Sequence, residues 1–227
     1  MDLFMLYIVP TPIGNLEDMT LRALRILKEV SLIACEDTRT SGVLLHHYGI
    51  TTPRTSFHIF NEAHKVHQLI GRIQSGEHMA LITDAGTPGI SDPGFSLIRA
   101  AIQAGAAVEV LPGATAFVPA VVLSGLPCDR FVFEGFLPVK KGRQTRIRFL
   151  AEETRTMVFY ESPHRIAKTL GELADVLGKD RPAATIRELS KKFEDVQRGT
   201  LSSLQAHFSE AGKARGEFVL VVSGLPD

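Results

Sequence analysis

The feature of this sequence that most constrains its fold is an apolar strand pattern that runs directly into a long loop rich in proline and glycine. Residues 79–82 predict a buried strand, and the segment 84–94 that follows holds three glycines, two prolines and two aspartates. Glycines let a backbone approach a ligand closely, and prolines stiffen its path. A plain strand-to-helix turn needs only a few residues, so a loop of this length favours a binding role.

Two further strand-like runs end in loops of the same kind. Residues 6–9 lead into a loop with two prolines and a glycine at 10–16, and residues 108–111 lead into a Pro-Gly loop at 112–116. The first loop does not follow the GxGxxG pattern, so the sequence does not indicate a dinucleotide site. In an open α/β sheet, ligands bind outside the carboxyl ends of the strands. The three loops therefore predict one shared cleft.

The order of strand-like and helix-like segments predicts an α/β protein. In the first half, strands are expected at 6–10, 31–35, 56–60, 79–83 and 107–111, and helices at 19–28, 40–47, 61–75 and 94–104. This alternation is typical of a mostly parallel sheet that is covered on both faces. A short helix is expected at 115–123, and the turn-rich stretch 124–129 marks a domain junction. We therefore expect an N-terminal domain of residues 1–123.

The second half predicts a C-terminal domain, residues 124–227, with a mixed sheet. Its strands are expected at 131–135, 156–160, 183–187, 194–198 and 218–222, and its helices at 142–153, 164–178 and 201–213. The strands within 183–198 are separated by a short connection, which favours antiparallel pairing. The sequence thus predicts two α/β domains.

Composition excludes several classes of protein. The chain has 227 residues, of which 44% are hydrophobic, with 25 basic and 25 acidic side chains. This neutral balance argues against bulk attraction to nucleic acid or membrane, so an RNA substrate would need a local basic patch. The two cysteines, Cys35 and Cys128, form no disulfide framework or zinc spacing. No signal peptide or bilayer-spanning run is visible, so we expect a cytoplasmic protein.

A set of short segments along nearly the whole chain resembles the tetrapyrrole methylase superfamily, the class III methyltransferases that use S-adenosyl-L-methionine. Within it, the chain resembles the ribosomal RNA small subunit methyltransferase I family, which methylates a cytidine ribose 2'-hydroxyl in 16S rRNA. The resemblance implies a cofactor cleft between two α/β domains, a homodimer and a 30S substrate. The matching segments are 9–16, 35–39, 61–62, 84–94, 111–116, 159–165, 187–194 and 216–218.

The resemblance also implies which residues bind the cofactor. They lie in the three Pro/Gly loops and after the second strand of the C-terminal domain: Pro10, Thr11, Pro12, Asp84, Gly86, Thr87, Pro88, Ile90, Thr115, Ala116, Tyr160 and Glu161. Thr87 stands where many relatives carry the aspartate of a Gly-Asp-Pro motif. Family members also commonly extend past the second domain, whereas this sequence ends at Asp227. We expect cofactor binding to be independent of that extension.

A ribose hydroxyl becomes a competent nucleophile when its proton is removed or polarised as it attacks. The sequence leaves several groups open for this role: Glu36, Asp37, Asp84, Asp92, Glu161, Lys191 and Lys192. Each carboxylate could instead serve as a helix cap or a salt-bridge partner. Glu36 and Asp37 are the preferred catalytic pair because they directly follow a predicted strand and precede Arg39.

Local basic clusters are the candidate RNA contacts. Five basic residues lie within 140–148, and Arg165, Lys191 and Lys192 are expected near the cleft. A charge run is often only a solvated surface, but in a neutral protein it also fits phosphate contact. From the first cluster we select Lys140, Lys141 and Arg143. His58, His64 and His67 lack a metal-site pattern, so no metal is expected.

Two other functions remain open from the sequence. One is a tetrapyrrole-type methyltransferase with a small-molecule substrate. The other is a non-catalytic ribosome-assembly factor that binds RNA and keeps the cofactor cleft only as a relic. Fold alone does not separate these functions.

Overall fold

The computed structural model describes residues 5–225, and its contacts divide the chain into two compact units that meet between Thr115 and Ala116. The sequence places the boundary eight residues later, at 123/124. The difference comes from helix α5 (Phe117–Ser124), which packs against the strands of the second sheet. Its buried residues Ala120 and Val121 belong to that sheet's core.

The first unit contains a five-stranded sheet in which every pair of neighbouring strands is parallel, as the sequence predicts. The strand order is β3-β2-β4-β1-β5. The strands are β1 (Met5–Ile8), β2 (Leu32–Cys35), β3 (Arg54–Ser56), β4 (Met79–Ile82) and β5 (Ala107–Val110). The helices are α1 (Leu21–Glu29), α2 (Thr38–His47), α3 (Glu62–Gln74) and α4 (Phe95–Gln103).

Burial on both faces explains why the central strands read as continuous apolar runs. All four residues of β2 and all four of β4 are buried. One hydrophobic core lies on each face: Ile33 and Ile82 belong to the first, and Leu81 and Phe57 to the second. The parallel order places the carboxyl ends of β2, β4, β1 and β5 side by side, so that the loops following them share one edge.

The predicted strand at 56–60 is wrong in position. Strand β3 ends at Ser56, and the chain then turns through 57–61. The side chain of Asn61 accepts a hydrogen bond from the His58 amide at 2.9 Å, which closes this turn before α3 begins. Phe57 is fully buried, so its apolar character reflects anchoring in the core.

The second unit contains a mixed five-stranded sheet with the order β6-β7-β10-β8-β9. Strands β6 and β7 are parallel and the remaining neighbours are antiparallel, which confirms the predicted mixed sheet. The strands are β6 (Phe131–Phe136), β7 (Thr156–Glu161), β8 (Pro182–Arg187), β9 (Asp195–Thr200) and β10 (Phe218–Val222). Besides α5, the helices are α6 (Arg143–Phe149), α7 (Ile166–Leu177) and α8 (Leu201–Ser209).

The two faces of this second sheet are covered differently. Met157 and Phe159 of β7 point into a core with α6, α7 and α8, whereas Val158 points into a smaller core with α5. This alternation follows from the two-residue period of a strand.

No helix in the described part of the chain, residues 5–225, has the length and apolar character needed to cross a bilayer.

Candidate cofactor and catalytic site

The loops after β1 and β4 are joined by backbone hydrogen bonds. Thr11 and Gly86 form an isolated antiparallel bridge, in which each amide donates to the other's carbonyl at 2.9 Å. The Thr11 hydroxyl, which is fully buried, donates to the Thr83 carbonyl at 2.9 Å. These bonds fix the positions of Pro10 and Pro12, which flank Thr11 in the chain.

The loop after β5 packs against the same two loops. The Thr87 hydroxyl donates to the Ala114 carbonyl at 3.0 Å. At Gly113, a Cβ atom would lie 2.7 Å from the Cβ of Pro10, so only glycine permits this close approach. The structure therefore brings together the three Pro/Gly loops that the sequence predicts as one ligand-binding edge.

The rest of the 84–94 loop is held in conformations that are uncommon for ordinary residues. Gly86 has a φ of +80°, and the non-glycine Ser91 has a φ of +61°. The Gly89 amide donates to the Pro93 carbonyl at 3.2 Å, which closes the loop on itself. Pro88 is buried, whereas Ile90 is 37% exposed. Backbone strain of this kind is concentrated at binding and catalytic sites.

Asp37, one of the two preferred catalytic residues, is already engaged by its own helix. It is the N-cap of α2, and its carboxylate accepts from the Arg39 amide at 2.8 Å and pairs with the Arg39 guanidinium at 2.7 Å. The Arg39 side chain and amide lower the pKa of Asp37 to about 2. A carboxylate with so low a pKa is a poor proton acceptor near neutral pH.

Glu36, the other member of that pair, has the opposite electrostatic character. Its side chain is half-buried at the end of β2, and desolvation raises its pKa, although a hydrogen bond from the Asp84 amide acts against this rise. Asp84 also accepts from the Asp37 amide at 3.3 Å, and desolvation raises the pKa of Asp84. Glu36 and Asp84 therefore form the carboxylate pair best suited to accept a proton at this edge.

His58 is a close neighbour of Glu36 at this edge. The Asn61 amide group donates to the Ser56 hydroxyl at 3.2 Å and lies 3.2 Å from Nε2 of His58. Since the Asn61 nitrogen is a donor, Nε2 is the acceptor and the proton of a neutral imidazole lies on Nδ1. That Nδ1 atom is buried without a partner among the described residues.

In the second unit, the structure separates the two residues expected to bind the cofactor together. Tyr160 lies on the α5 face of β7, where its ring meets the edges of Phe133 and Phe136 at centroid distances of 5.1 and 5.6 Å. Glu161 lies on the opposite face and is only 2% exposed. Neighbouring residues of a strand point to opposite faces, so their side chains do not line one pocket.

Glu161 instead anchors a buried polar network. Its carboxylate accepts from the Thr169 hydroxyl at 2.6 Å and pairs with Arg165 at 3.2 Å. The same Thr169 hydroxyl accepts from Arg143 at 2.7 Å, and Arg143 also pairs with Glu172 at 2.6 Å. The network ties α6 to α7 beneath the sheet.

This network changes the interpretation of the basic cluster at 140–148. Arg143 is only 4% exposed and its guanidinium donates to Glu172, Thr169 and the Pro138 carbonyl, so it is a structural residue and not a surface cation. Lys140, Lys141 and Arg148 are exposed, whereas Arg146 pairs with Glu134 at 2.7 Å. Arg165 is half-buried, and it donates to the Leu137 carbonyl at 2.8 Å besides pairing with Glu161.

Lys191 and Lys192 also differ from each other. Lys191 pairs with Glu188 at 3.0 Å and with Glu217 at 2.8 Å, whereas Lys192 is exposed and lies over the ring of Phe193 at 5.6 Å. Phe193, which is not among the functional residues predicted from the sequence, is a 65% exposed aromatic residue in a charged segment. An aromatic side chain flanked by charges in a turn is the signal that could have identified it.

Thr115 and Ala116, two of the predicted cofactor residues, are half-buried at the division between the units. No cluster of three potential metal ligands occurs within residues 5–225.

Comparison with known proteins gives a consistent result. The family model of tetrapyrrole (corrin/porphyrin) methylases matches residues 5–205. The ribosomal RNA small subunit methyltransferase I of Pasteurella multocida is 50% identical over 221 residues, which cover 96% of this chain and 79% of the relative. The protein of the same name from Synechocystis is 50% identical, with coverages of 96% and 78%. The Thermus thermophilus uroporphyrin-III C-methyltransferase, solved in complex with S-adenosyl homocysteine, superposes with a TM-score of 0.65 at 20% identity and 96% coverage of both chains.

Proposed function

This chain belongs to the tetrapyrrole methylase family, and we propose that it is the S-adenosyl-L-methionine-dependent enzyme that methylates the 2'-hydroxyl of a cytidine ribose in 16S ribosomal RNA. The observation that carries this proposal is the 50% identity, over 96% of the chain, to proteins named ribosomal RNA small subunit methyltransferase I. The family fold alone fits several substrates. It is the level of identity that favours ribosomal RNA over a porphyrinoid.

The residues at the carboxyl edge of the first sheet fit the cofactor chemically. The Asp84 carboxylate can accept hydrogen bonds from ribose hydroxyls or from the ammonium group of the methionine part. Gly113 allows its loop to approach Pro10 closely because it carries no side chain, and Gly86 allows the positive φ of +80° that its loop requires. When bound, S-adenosylmethionine supplies an electrophilic methyl group, which the ribose oxygen accepts as the carbon–sulfur bond breaks.

Glu36 is proposed as the group that takes the proton of the ribose hydroxyl. Its pKa is raised, it lies at the loop edge, and its neighbour Asp37 is occupied by Arg39. A proton acceptor works best when its pKa approaches the working pH. Asp84, which hydrogen-bonds to Glu36 through its amide, keeps that carboxylate in place.

We further propose that the protein acts in the cytoplasm as a homodimer on 16S rRNA within the 30S particle. Exposed apolar side chains support a symmetric contact: Phe136, Val139 and Phe149 are 54%, 68% and 68% exposed. Phe136 and Phe149 line an open groove of about 640 Å³. Light scattering should give about twice the 24.8 kDa mass of one chain. A monomer at micromolar concentration would contradict the dimer.

A methyl-transfer assay tests the function directly. The purified protein is incubated with methyl-labelled S-adenosylmethionine and, separately, with unmodified 30S particles, naked 16S rRNA and a porphyrinoid. We expect label in the 30S particle at a cytidine 2'-oxygen. Label in the porphyrinoid would support the small-molecule enzyme. RNA binding without any transfer, together with no cofactor binding by calorimetry, would support the non-catalytic assembly factor.

A further inference from the structure

The loop between β8 and β9, residues 188–194, is unusually well fixed for a hairpin connection. Two of its non-glycine residues, Glu188 and Ser190, have positive φ angles of 52° and 64°. Such conformations are uncommon outside glycine and persist only when the surrounding contacts enforce them. The contacts of this loop therefore show what holds it.

Glu188 is held from three sides. Its amide donates to the Glu217 carbonyl at 2.9 Å, and its carboxylate accepts from the Glu217 amide at 2.9 Å and from Lys191 at 3.0 Å. Lys191 also reaches the Glu217 carboxylate. Gly216 makes this arrangement possible, because a Cβ at that position would lie 2.5 Å from the Glu188 side chain. The Glu194 carboxylate accepts from the Ser190 amide at 2.7 Å and closes the far side of the loop.

The rigid loop presents a cation and an aromatic ring to solvent. Phe193 is 65% exposed although hydrophobic side chains are usually covered, and Nζ of Lys192 lies 5.6 Å from its ring centroid. Phe193 also lines an open groove of about 610 Å³ beside the loop. An exposed ring on a fixed backbone loses little conformational entropy when another flat group stacks on it.

The charges around this groove favour an anionic partner. The acidic residues Glu188 and Glu217 are paired with Lys191, and Asp195 pairs with Arg187 at 3.9 Å. In contrast, no ion pair among residues 5–225 includes Lys192 of the loop or Lys213 and Arg215 of the groove. Within the same range Glu194 is in no ion pair either, and the loop, the groove lining and Glu217 together hold five cations and four acids, a balance of +1.

Resting on the proposed function, we infer that Phe193 and Lys192 form a stacking platform for an unpaired base of the ribosomal RNA substrate, with Lys213 and Arg215 contacting its phosphates. Proteins that bind single-stranded nucleic acid combine an aromatic surface for the base with a basic groove for the backbone. A duplex hides its bases in the stack, so the platform selects single-stranded segments. The rigid loop supplies the fixed geometry that stacking requires.

The absence of tryptophan from the sequence makes a direct test possible. The Phe193→Trp variant carries one tryptophan, whose fluorescence is followed as a single-stranded oligocytidine of about eight nucleotides is added. We expect quenching that saturates, and no quenching by an RNA duplex of equal length. The control variant Ile102→Trp places a single tryptophan at an exposed position near the end of α4 in the first unit. We expect no quenching there.

A second variant pair separates stacking from simple apolar contact. Phe193→Leu keeps an apolar side chain but removes the ring, and we expect its affinity for the oligocytidine to fall at least about fivefold, while Phe193→Trp binds as tightly as the parent. Equal affinity of the parent and Phe193→Leu for the oligocytidine, or equal quenching in Phe193→Trp and Ile102→Trp, would overturn the platform.

Methylation of 30S particles by the parent protein, measured in the same preparation, keeps the stacking platform and the proposed enzyme function distinguishable. If methylation occurs without stacking, the platform alone is wrong, and if stacking occurs without methylation, the enzyme assignment is wrong.

Discussion

Thr11 and Gly86 exchange two backbone hydrogen bonds of 2.9 Å across the carboxyl edge of the first sheet, although they are 75 residues apart in the chain. This pair joins the β1 loop to the β4 loop and leaves Gly86 with a φ of +80°. A side chain at position 86 would point towards Ile13, whose methyl group lies 3.5 Å from the expected Cβ position. The geometry of the cofactor loops therefore depends on glycine at this position.

The first prediction concerns Gly86→Val. A β-branched side chain is disfavoured at positive φ and also fills the space next to Ile13, so the joined loops must move. We expect the affinity for S-adenosylmethionine, measured by calorimetry, to fall at least about tenfold, which corresponds to about 1.4 kcal/mol.

Gly76→Val is the matched control for this effect. Gly76 also has a positive φ, of +99°, but nothing lies within 4 Å of its expected Cβ, and it follows α3 outside the Pro/Gly loops. Its substitution should destabilise the fold by a similar backbone strain, but the affinity for S-adenosylmethionine should not change. A folded Gly86→Val protein with parental affinity would show that this loop does not bind the cofactor.

The second prediction separates Glu36 from Asp37. Glu36→Gln keeps the size of the side chain but removes the proton acceptor, so kcat on 30S particles should fall about a hundredfold. Asp37→Asn keeps a helix N-cap and leaves Glu36 intact, so its kcat should stay close to the parental value. Comparable losses in both variants, or parental activity in Glu36→Gln, would refute the assignment.

The pH dependence of kcat gives an independent measurement of the same role. Because desolvation raises the pKa of Glu36, this carboxyl stays protonated to a higher pH than an ordinary glutamate and cannot accept a proton there. The acid limb of the parental profile should therefore lie above the ordinary glutamate range. Asp37→Asn should move that limb only slightly, to lower pH, because the Asp37 charge is the smallest of the printed influences that raise the pKa of Glu36, and the pKa of Asp37 itself, about 2, lies well below the limb.

Most of the fold could be predicted from the sequence because periodicity reports burial. The runs that became β2 and β4 are apolar throughout since both faces are covered, and every predicted helix is present to within a few residues. The boundary near α5 was harder to predict, because an all-apolar helix does not reveal which of two sheets it covers.

The candidate site could be predicted only in part, because the sequence does not show whether a charged residue is buried or which side chains of a motif share a face of the sheet. Arg143 reads as one cation in a basic run, yet it is buried against Glu172 and Thr169. Tyr160 and Glu161 are adjacent in a motif, yet the strand points them to opposite faces of the sheet. Only the three-dimensional partners separate a structural cation from a binding cation.

The third prediction concerns Thr169, whose buried hydroxyl joins Glu161 to Arg143. Thr169→Val removes this hydroxyl and leaves a buried carboxylate and a buried guanidinium each short of a hydrogen bond, which costs about 1–3 kcal/mol. The free energy of unfolding, measured in urea, should fall by this amount. Thr169→Ser restores the hydroxyl and should recover most of the loss. If the serine variant, which keeps the hydroxyl and loses only the methyl group, is as unstable as the valine variant, the hydrogen bonds of the hydroxyl do not account for the stability of this site.

The fourth prediction concerns the exposed cations of the basic cluster. Lys140, Lys141 and Arg148 are exposed, whereas Arg143 serves the buried network and should not be mutated in this test. If these three cations contact phosphates, the Lys140→Ala, Lys141→Ala, Arg148→Ala triple variant should bind 30S particles more weakly. The slope of log affinity against log salt should also flatten by about 0.7–0.9 for each lost contact.

Cofactor affinity separates this effect from a general loss of structure. The triple variant changes only the second unit, whereas the cofactor loops 10–16 and 84–94 lie in the first, so its affinity for S-adenosylmethionine should remain parental. Arg25→Ala with Lys28→Ala is the control, because it removes two exposed cations from α1, one of them paired with Glu29, that are not proposed to meet RNA. Since surface charges also attract RNA from a distance, the control should change the salt slope by much less than the triple variant. Equal slopes in the parent and the triple variant would mean that the cluster is only a solvated surface, and RNA docking would then rest on Lys192, Lys213 and Arg215.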